Sequence, residues 1–150
     1  QIVPIALALW GIGMVIGGLA AGWLADKNLN KTIVGVLISS AIAFVVASFL
    51  MSNIYSAIGS LFLIGLTVMG LGEALQTRLM DVAGDAQTLA ASLNHSAFNL
   101  ANALGAFLGG WVLSHQMGWI APIWVGFVLS LGDLIILLIA FALEKATQKA

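Results

Sequence analysis

A chain of 150 residues with 61% hydrophobic residues, only 7% charged residues and a mean hydropathy of +1.11 excludes a water-soluble globule, whose surface needs about a quarter charged residues. Five Lys and Arg against six Asp and Glu, for a formal net charge of −1, exclude a nucleic-acid surface. No cysteine is present, so disulfides and thiolate metal sites are excluded, and neither a cofactor nor a metal is expected.

Crossing the hydrocarbon core of a bilayer takes about 20 apolar residues in a helix. Five stretches qualify, approximately 5–25, 32–51, 57–79, 88–113 and 122–143. Their apolar character is continuous and does not alternate, which favours helices over a membrane β-barrel. The predicted fold class is all-α, a polytopic membrane bundle of five transmembrane helices. Pro4 and Pro122 fall at predicted helix starts, where a missing N–H costs nothing.

The first span carries Gly13, Gly17, Gly18 and Gly22 at short intervals, a small-residue face that serves either plain packing or helix sliding during a conformational cycle. Residues 22–31 follow as a short polar connection holding Asp26, Lys27 and Lys31. The second span has only serines as polar residues. On the third, Met69, Glu73, Gln76, Thr77 and Met80 trace one line. Glu73 lies about two turns inside the helix end, where an unpaired anion is strained. It is either a proton-coupling candidate or a carboxylate that snorkels or pairs with Arg78. Asp85 is placed to cap the fourth span.

Ser92, His95, Asn99, Asn102 and Ala106 fall at three- and four-residue steps on the fourth span and share one face, flanked by Asn94 and Ser96. Polar side chains in one span are costly if unpaired in lipid, so this face looks into the protein or into a wet cavity. Interhelical hydrogen bonding accounts for one or two of them, and His95 alone reads equally as a packed, satisfied histidine. Gly105, Ala106, Gly109 and Gly110 continue the helix as a second small-residue face. Trp119, before Pro122, suits an interfacial anchor. In the fifth span Asp133 lies near the bilayer midplane with Ser130 one turn away. It is a second proton-coupling candidate or a structural hydrogen-bonding group.

Five alternating spans put residues 26–31, the end of the third span and the C-terminal tail on one side. Lys27, Lys31, Arg78, Lys145 and Lys149 all fall there, whereas 52–56 and 114–121 hold no Lys or Arg. The positive-inside rule places that side and the C-terminus in the cytoplasm and Gln1 outside, in a multi-pass protein of the cell (inner) membrane. An outside start without initiating Met, basic n-region or cleavage signal reads as the C-terminal piece of a larger polytopic protein.

Enzyme chemistry finds no support. Ser130-Leu131-Gly132-Asp133 holds only part of the Gly-x-Gly-Asp pattern of intramembrane aspartyl proteases, and no second aspartate lies at matching depth. His95 and Ser96 are adjacent and point to different sides of their helix, and no nucleophile turn or nucleotide loop is present.

Gly22, Asp26, Lys27 and Lys31 resemble the loop that major facilitator superfamily transporters carry after the second helix of each half, Gly-x-x-x-Asp-(Arg/Lys)-x-Gly-x-(Arg/Lys)-(Arg/Lys). Leu29 replaces its second glycine and Thr32 its last basic residue, a departure that weakens any reading of a full charge relay. The stretches 75–87, 94–99 and 102–110 resemble the tenth- and eleventh-helix region of twelve-helix efflux permeases of the arabinose-efflux and drug:proton antiporter type. The resemblance covers essentially the whole chain and implies helices eight to twelve of that fold, with the N-terminal half of the same protein as the missing partner.

The resemblance further implies proton-coupled efflux of small organic molecules, sugar or drug-like, by alternating access. Gln76, His95, Asn99 and Asn102 become cavity-lining candidates, and Gly22, Asp26, Lys27 and Lys31 a gating loop in which Asp26 approaches a neighbouring helix N-terminus. Anchoring of Lys27 and Lys31 to anionic lipid is the alternative role of that loop. In the implied fold Asp133 sits on a peripheral helix without obvious access to substrate. The competing reading of the whole chain is a non-transporting membrane subunit whose polar residues are interhelical contacts.

Overall fold

The computed structural model describes residues 2–147; Gln1 and Lys149, which entered the topology argument, lie outside the described residues. Four helices long and apolar enough to cross a membrane are present among these residues, not the five expected. They are α1 (Ile2–Leu50), α2 (Ile54–Val82), α3 (Gln87–Ser114) and α4 (Ala121–Thr147), with a single 3₁₀ turn at Gly84–Ala86 before α3. The four share the expected all-α, apolar character.

The missing boundary lies inside α1. Residues 26–31 form no separate loop: helix runs on both sides of one extended residue, Asn28, at φ −162° and ψ 95°. The Asn28 side-chain oxygen accepts a hydrogen bond from the Lys31 backbone N–H at 3.0 Å, and the Thr32 hydroxyl donates to the Asn28 carbonyl at 2.9 Å. This is the geometry of a helix N-cap, in which one side chain satisfies an otherwise orphaned donor three residues on. A connection needing only one residue out of helical geometry leaves no loop to separate two helices.

The two arms of α1 run in opposite directions. Along the first arm Trp10, Gly13 and Gly17 meet Gly65, Phe62 and Leu66 of α2, and Ala21 meets Gly70, so the numbers rise together and the arm is parallel to α2. Along the second arm Ile33 and Leu37 pack with Leu71, Ala74 and Leu75, while Ala43 and Val46 share a cavity with Leu63 and Leu66. There the numbers fall, and the arm is antiparallel. Contacts of Phe98 with Gly72 and of Asn94 with Gln76 set α3 antiparallel to α2, and Phe44 against Gly126 brings α4 onto the second arm. Lys27, Lys31, Arg78 and Lys145 consequently lie at one end of the bundle.

Small residues make the α1–α2 contact close. A Cβ added at Gly17 would collide with the Leu66 carbonyl, and one at Gly13 with the Phe62 carbonyl. The innermost side chains are Ile33, Leu37 and Ala74, with Leu29, Leu134 and Leu137 around them. Most large apolar side chains on the first arm, α3 and α4 are exposed, as helices facing lipid or further protein require.

Two local expectations are corrected. Asp85 does not cap α3: the residue before the helix is Ala86, without a side-chain cap, and its N–H donates to Ala83 O at 2.9 Å within the 3₁₀ turn. Asp85 lies inside that turn, one residue before the capping position, and the turn bonds the backbone to itself. Glu73 does not pair with Arg78, because the guanidinium Nη2 donates to both oxygens of Glu144 on α4, at 2.7 and 2.6 Å.

Candidate functional site

Helix α2 presents Met69, Glu73, Gln76 and Thr77 along one strip. The first arm of α1 flanks this strip on one side, where a Cβ at Gly18 would lie 3.2 Å from Met69 Cγ and 3.9 Å from Glu73 Cγ. Helix α3 flanks it on the other, where Asn94 Nδ2 donates to Gln76 Oε1 at 3.5 Å. The strip is thus the floor between two walls.

Against the first wall, Glu73 is exposed and lines an open cavity of about 370 Å³ together with Thr77, Met69, Gly18 and Gly22. Thr77 gives its hydroxyl to the Glu73 carbonyl at 2.9 Å, leaving the carboxylate without a bond from its own helix. No ion pair involves Glu73 among the described residues, where the Arg78–Glu144 bridge stands alone.

On the second wall His95, Asn99 and Asn102 are exposed, and so is Ser92, whose hydroxyl turns back to the Thr88 carbonyl at 2.9 Å. Among the described residues none of the three makes an interhelical hydrogen bond. The face of α3 that does meet other helices is a neighbouring one, bearing Asn94, Phe98 and Ala101, which together with α2, α4 and Leu37 of α1 border a second open cavity of about 390 Å³. Gln76 is therefore joined to α3 through Asn94, beside the expected stripe and not through it.

Asp133 lines that second cavity opposite Asn94 and Phe98. Its helix is peripheral in the sense that only Ile123 and Ser130 are buried along it, and Asp133 itself is exposed while bordering the cavity beside α3. Ser130 does not bond it; the Ser130 hydroxyl donates to the Phe127 carbonyl at 2.8 Å. The proton-coupling candidates Glu73 and Asp133 thus occupy different cavities.

At the connection inside α1, Asp26, Lys27 and Lys31 are exposed, and a Cβ at Gly22 would meet nothing within 4 Å. Lys27 Nζ stands 3.2 Å from the centroid of the Trp23 ring, a cation–π contact at the end of the first arm. Asp26 makes no hydrogen bond or ion pair among the described residues, and the helix start beside it is capped by Asn28. Reasoning on the sequence passed over three groups. Asn28 was legible as an Asn one turn before the apolar run that starts at Thr32, and Arg78 with Glu144 as opposite charges at the same end of alternating spans. The Asn94–Gln76 bond had no such signal beyond Asn94 flanking the stripe.

The sequence is similar to those of known proteins. The family model described as Major Facilitator Superfamily matches residues 2–150. The inner membrane transport protein YdhP of Escherichia coli (strain K12) is 39% identical over 113 residues, which is 75% of this chain and 29% of that protein. A probable sugar efflux transporter of Helicobacter pylori is 28% identical over 99% of this chain and 36% of its own length. A chloramphenicol resistance protein of Streptomyces lividans is 27% identical over 99% of this chain and 37% of its own length. The chain therefore spans about a third of the curated relatives it matches. No solved structure matches it.

Proposed function

The chain belongs to the Major Facilitator Superfamily, and from that membership we propose that it forms helices eight to twelve of a twelve-helix transporter that exports small organic molecules by alternating access, driven by inward proton flow. The observation that carries the reading is the face of α3 bearing His95, Asn99 and Asn102, which is polar, exposed and uncovered by any other described helix. A row of amides and an imidazole on a membrane-length helix needs water, substrate or further protein beside it. The missing N-terminal half supplies the opposite wall.

In this reading each arm of α1 is one crossing. Its 49 residues would reach about 74 Å if straight, more than twice the roughly 30 Å of hydrocarbon, and the reversal at Asn28 supports two passes. The basic end carrying Lys27, Lys31, Arg78 and Lys145 faces the cytoplasm. Gln76, His95, Asn99 and Asn102 contact the substrate, and Glu73 exchanges the proton from its own open cavity. Asp26, Lys27 and Lys31 gate the cytoplasmic end. The names of the relatives make chloramphenicol and sugars the first substrates to try. The subunit alternative gains one observation, the Asn94–Gln76 bond, but that bond leaves the three stripe residues unused.

The test uses the full-length protein in proteoliposomes with an imposed proton gradient. Uphill movement of chloramphenicol or a labelled sugar is expected, with loss to background in the paired variant Asn99→Leu, Asn102→Leu while the protein remains monodisperse. Transport of neither probe, or full transport by the paired variant, would sink the reading. Substrate-driven proton release that survives Glu73→Gln would remove Glu73 from the mechanism.

A further inference from the structure

The open cavity between α2, α3, α4 and the second arm of α1 differs in kind from the polar strip. Its walls are Leu37, Leu71, Leu75, Phe98, Ile136 and Leu137, and its volume of about 390 Å³ falls in the range that holds small organic ligands, about 300–1,000 Å³. Only two lining side chains are polar, Asn94 and Asp133. One N–H of the Asn94 amide donates to Gln76, and the Asn94 carbonyl oxygen takes no hydrogen bond among the described residues. Asp133, halfway along α4, takes no hydrogen bond or ion pair among the described residues. Two acceptors without a donor among the described residues, the Asp133 carboxylate and the Asn94 carbonyl, therefore border the cavity.

Among the described residues no cation meets them. Arg78 is held by both oxygens of Glu144, and Lys27, Lys31 and Lys145 sit at the end of the bundle. An unpaired carboxylate among apolar walls at mid-membrane depth is costly, and a donor-bearing cation is its chemical complement. The Phe98 ring adds an aromatic surface that favours positive charge. We propose that this cavity binds a small organic ammonium ion with an apolar body, its charge held by Asp133 and the Asn94 carbonyl. The site lies inside the described helices and shares no lining residue with the His95–Asn99–Asn102 face. It does not depend on transport.

The probe is 2-phenylethylammonium, titrated calorimetrically into the detergent-solubilised full-length protein, with 2-phenylethanol as its neutral and phenylacetate as its anionic counterpart. The ammonium is expected to bind about tenfold or more tighter than the alcohol, and phenylacetate weakest. Asp133→Asn is expected to erase that margin while leaving affinity for the alcohol in place. Ala101→Phe, which fills the cavity without touching the carboxylate, is expected to remove binding of both, and carries the test if the aspartate variant does not yield monodisperse protein. Equal binding of ammonium and alcohol would mean a neutral, internally bonded carboxyl group and overturns the proposal. So does absence of binding, a margin that persists in Asp133→Asn, or undiminished binding to Ala101→Phe. Because only equilibrium binding is read, failure here leaves the transport reading standing.

Discussion

Two small-residue faces that look alike in the sequence behave in opposite ways. Along the first arm of α1, Gly13 and Gly17 let the backbone of α2 approach until no Cβ would fit, whereas along α3 the exposed Gly110 has nothing within 4 Å of where a Cβ would stand. The first face is closed by a partner inside the described helices; the second continues the polar line of His95, Asn99 and Asn102. A small-residue pattern alone thus reports that close approach is permitted, and the partner decides whether it happens. The α1–α2 face is packed, and the α3 face is left uncovered by the other described helices.

The largest effect expected is at the closed face. Gly17→Ala would press a methyl group into the Leu66 backbone, which cannot rotate away as a side chain would. Overpacking of this kind costs about 1–3 kcal/mol, and more where the neighbour is rigid. A clear drop in the melting temperature of the full-length protein, read by fluorescence-detected size exclusion, is the expected outcome, and Gly17→Leu is expected to leave no monodisperse protein. An unchanged melting temperature for Gly17→Ala would mean that the two helices are not in contact there, and the contrast between the faces would collapse.

Next in size is the turn that folds α1 back on itself. Asn28→Ala removes the acceptor for the Lys31 N–H, a loss of about 1 kcal/mol by analogy with other N-caps, whereas Asn28→Asp keeps an acceptor and is expected to be nearly neutral. Equal melting temperatures for the two variants would show that the reversal does not rely on the cap. At the same end, Arg78→Ala is expected to cost less, up to about 1 kcal/mol, because the Arg78 and Glu144 side chains are 25% and 41% exposed and water competes for them. The exchange Arg78→Glu with Glu144→Arg should recover more stability than either reversal alone. Failure to recover would remove the pair from the forces that join α2 to α4.

These sites also mark where the sequence stopped being informative. The spans were legible because apolar runs and the two prolines leave few places for a helix to end, and α2, α3 and α4 begin within a few residues of expectation. Residues 26–31 misled because polar composition was equated with loop, although one capping asparagine suffices to reverse the chain. Asp85 misled for the related reason that a 3₁₀ turn can satisfy backbone groups without a side chain. At the candidate site the periodicity of α3 groups His95, Asn99 and Asn102 on one face, and all three are exposed. Periodicity cannot say which neighbouring face meets α2 and α4, and there the bond from Asn94 to Gln76 and the place of Asp133 beside the cavity depend on helix rotation, which only packing fixes.

The smallest expected effect discriminates most sharply. Gly110→Ala meets no atom within 4 Å, so the only local term is the better helix propensity of Ala, worth up to about 1 kcal/mol. If the α3 face borders an aqueous cleft in the full-length protein, the variant should melt at the same temperature as the parent or slightly above it. If instead residues outside this chain close on α3 as α2 closes on Gly17, the added methyl group would be driven into a backbone and the melting temperature would fall. The same substitution at Gly17 supplies the scale for that fall. The sign of the shift at Gly110, measured beside Gly17→Ala, therefore separates a wall that faces water from a second packing seam, and with it the transporter reading from that of a packing subunit.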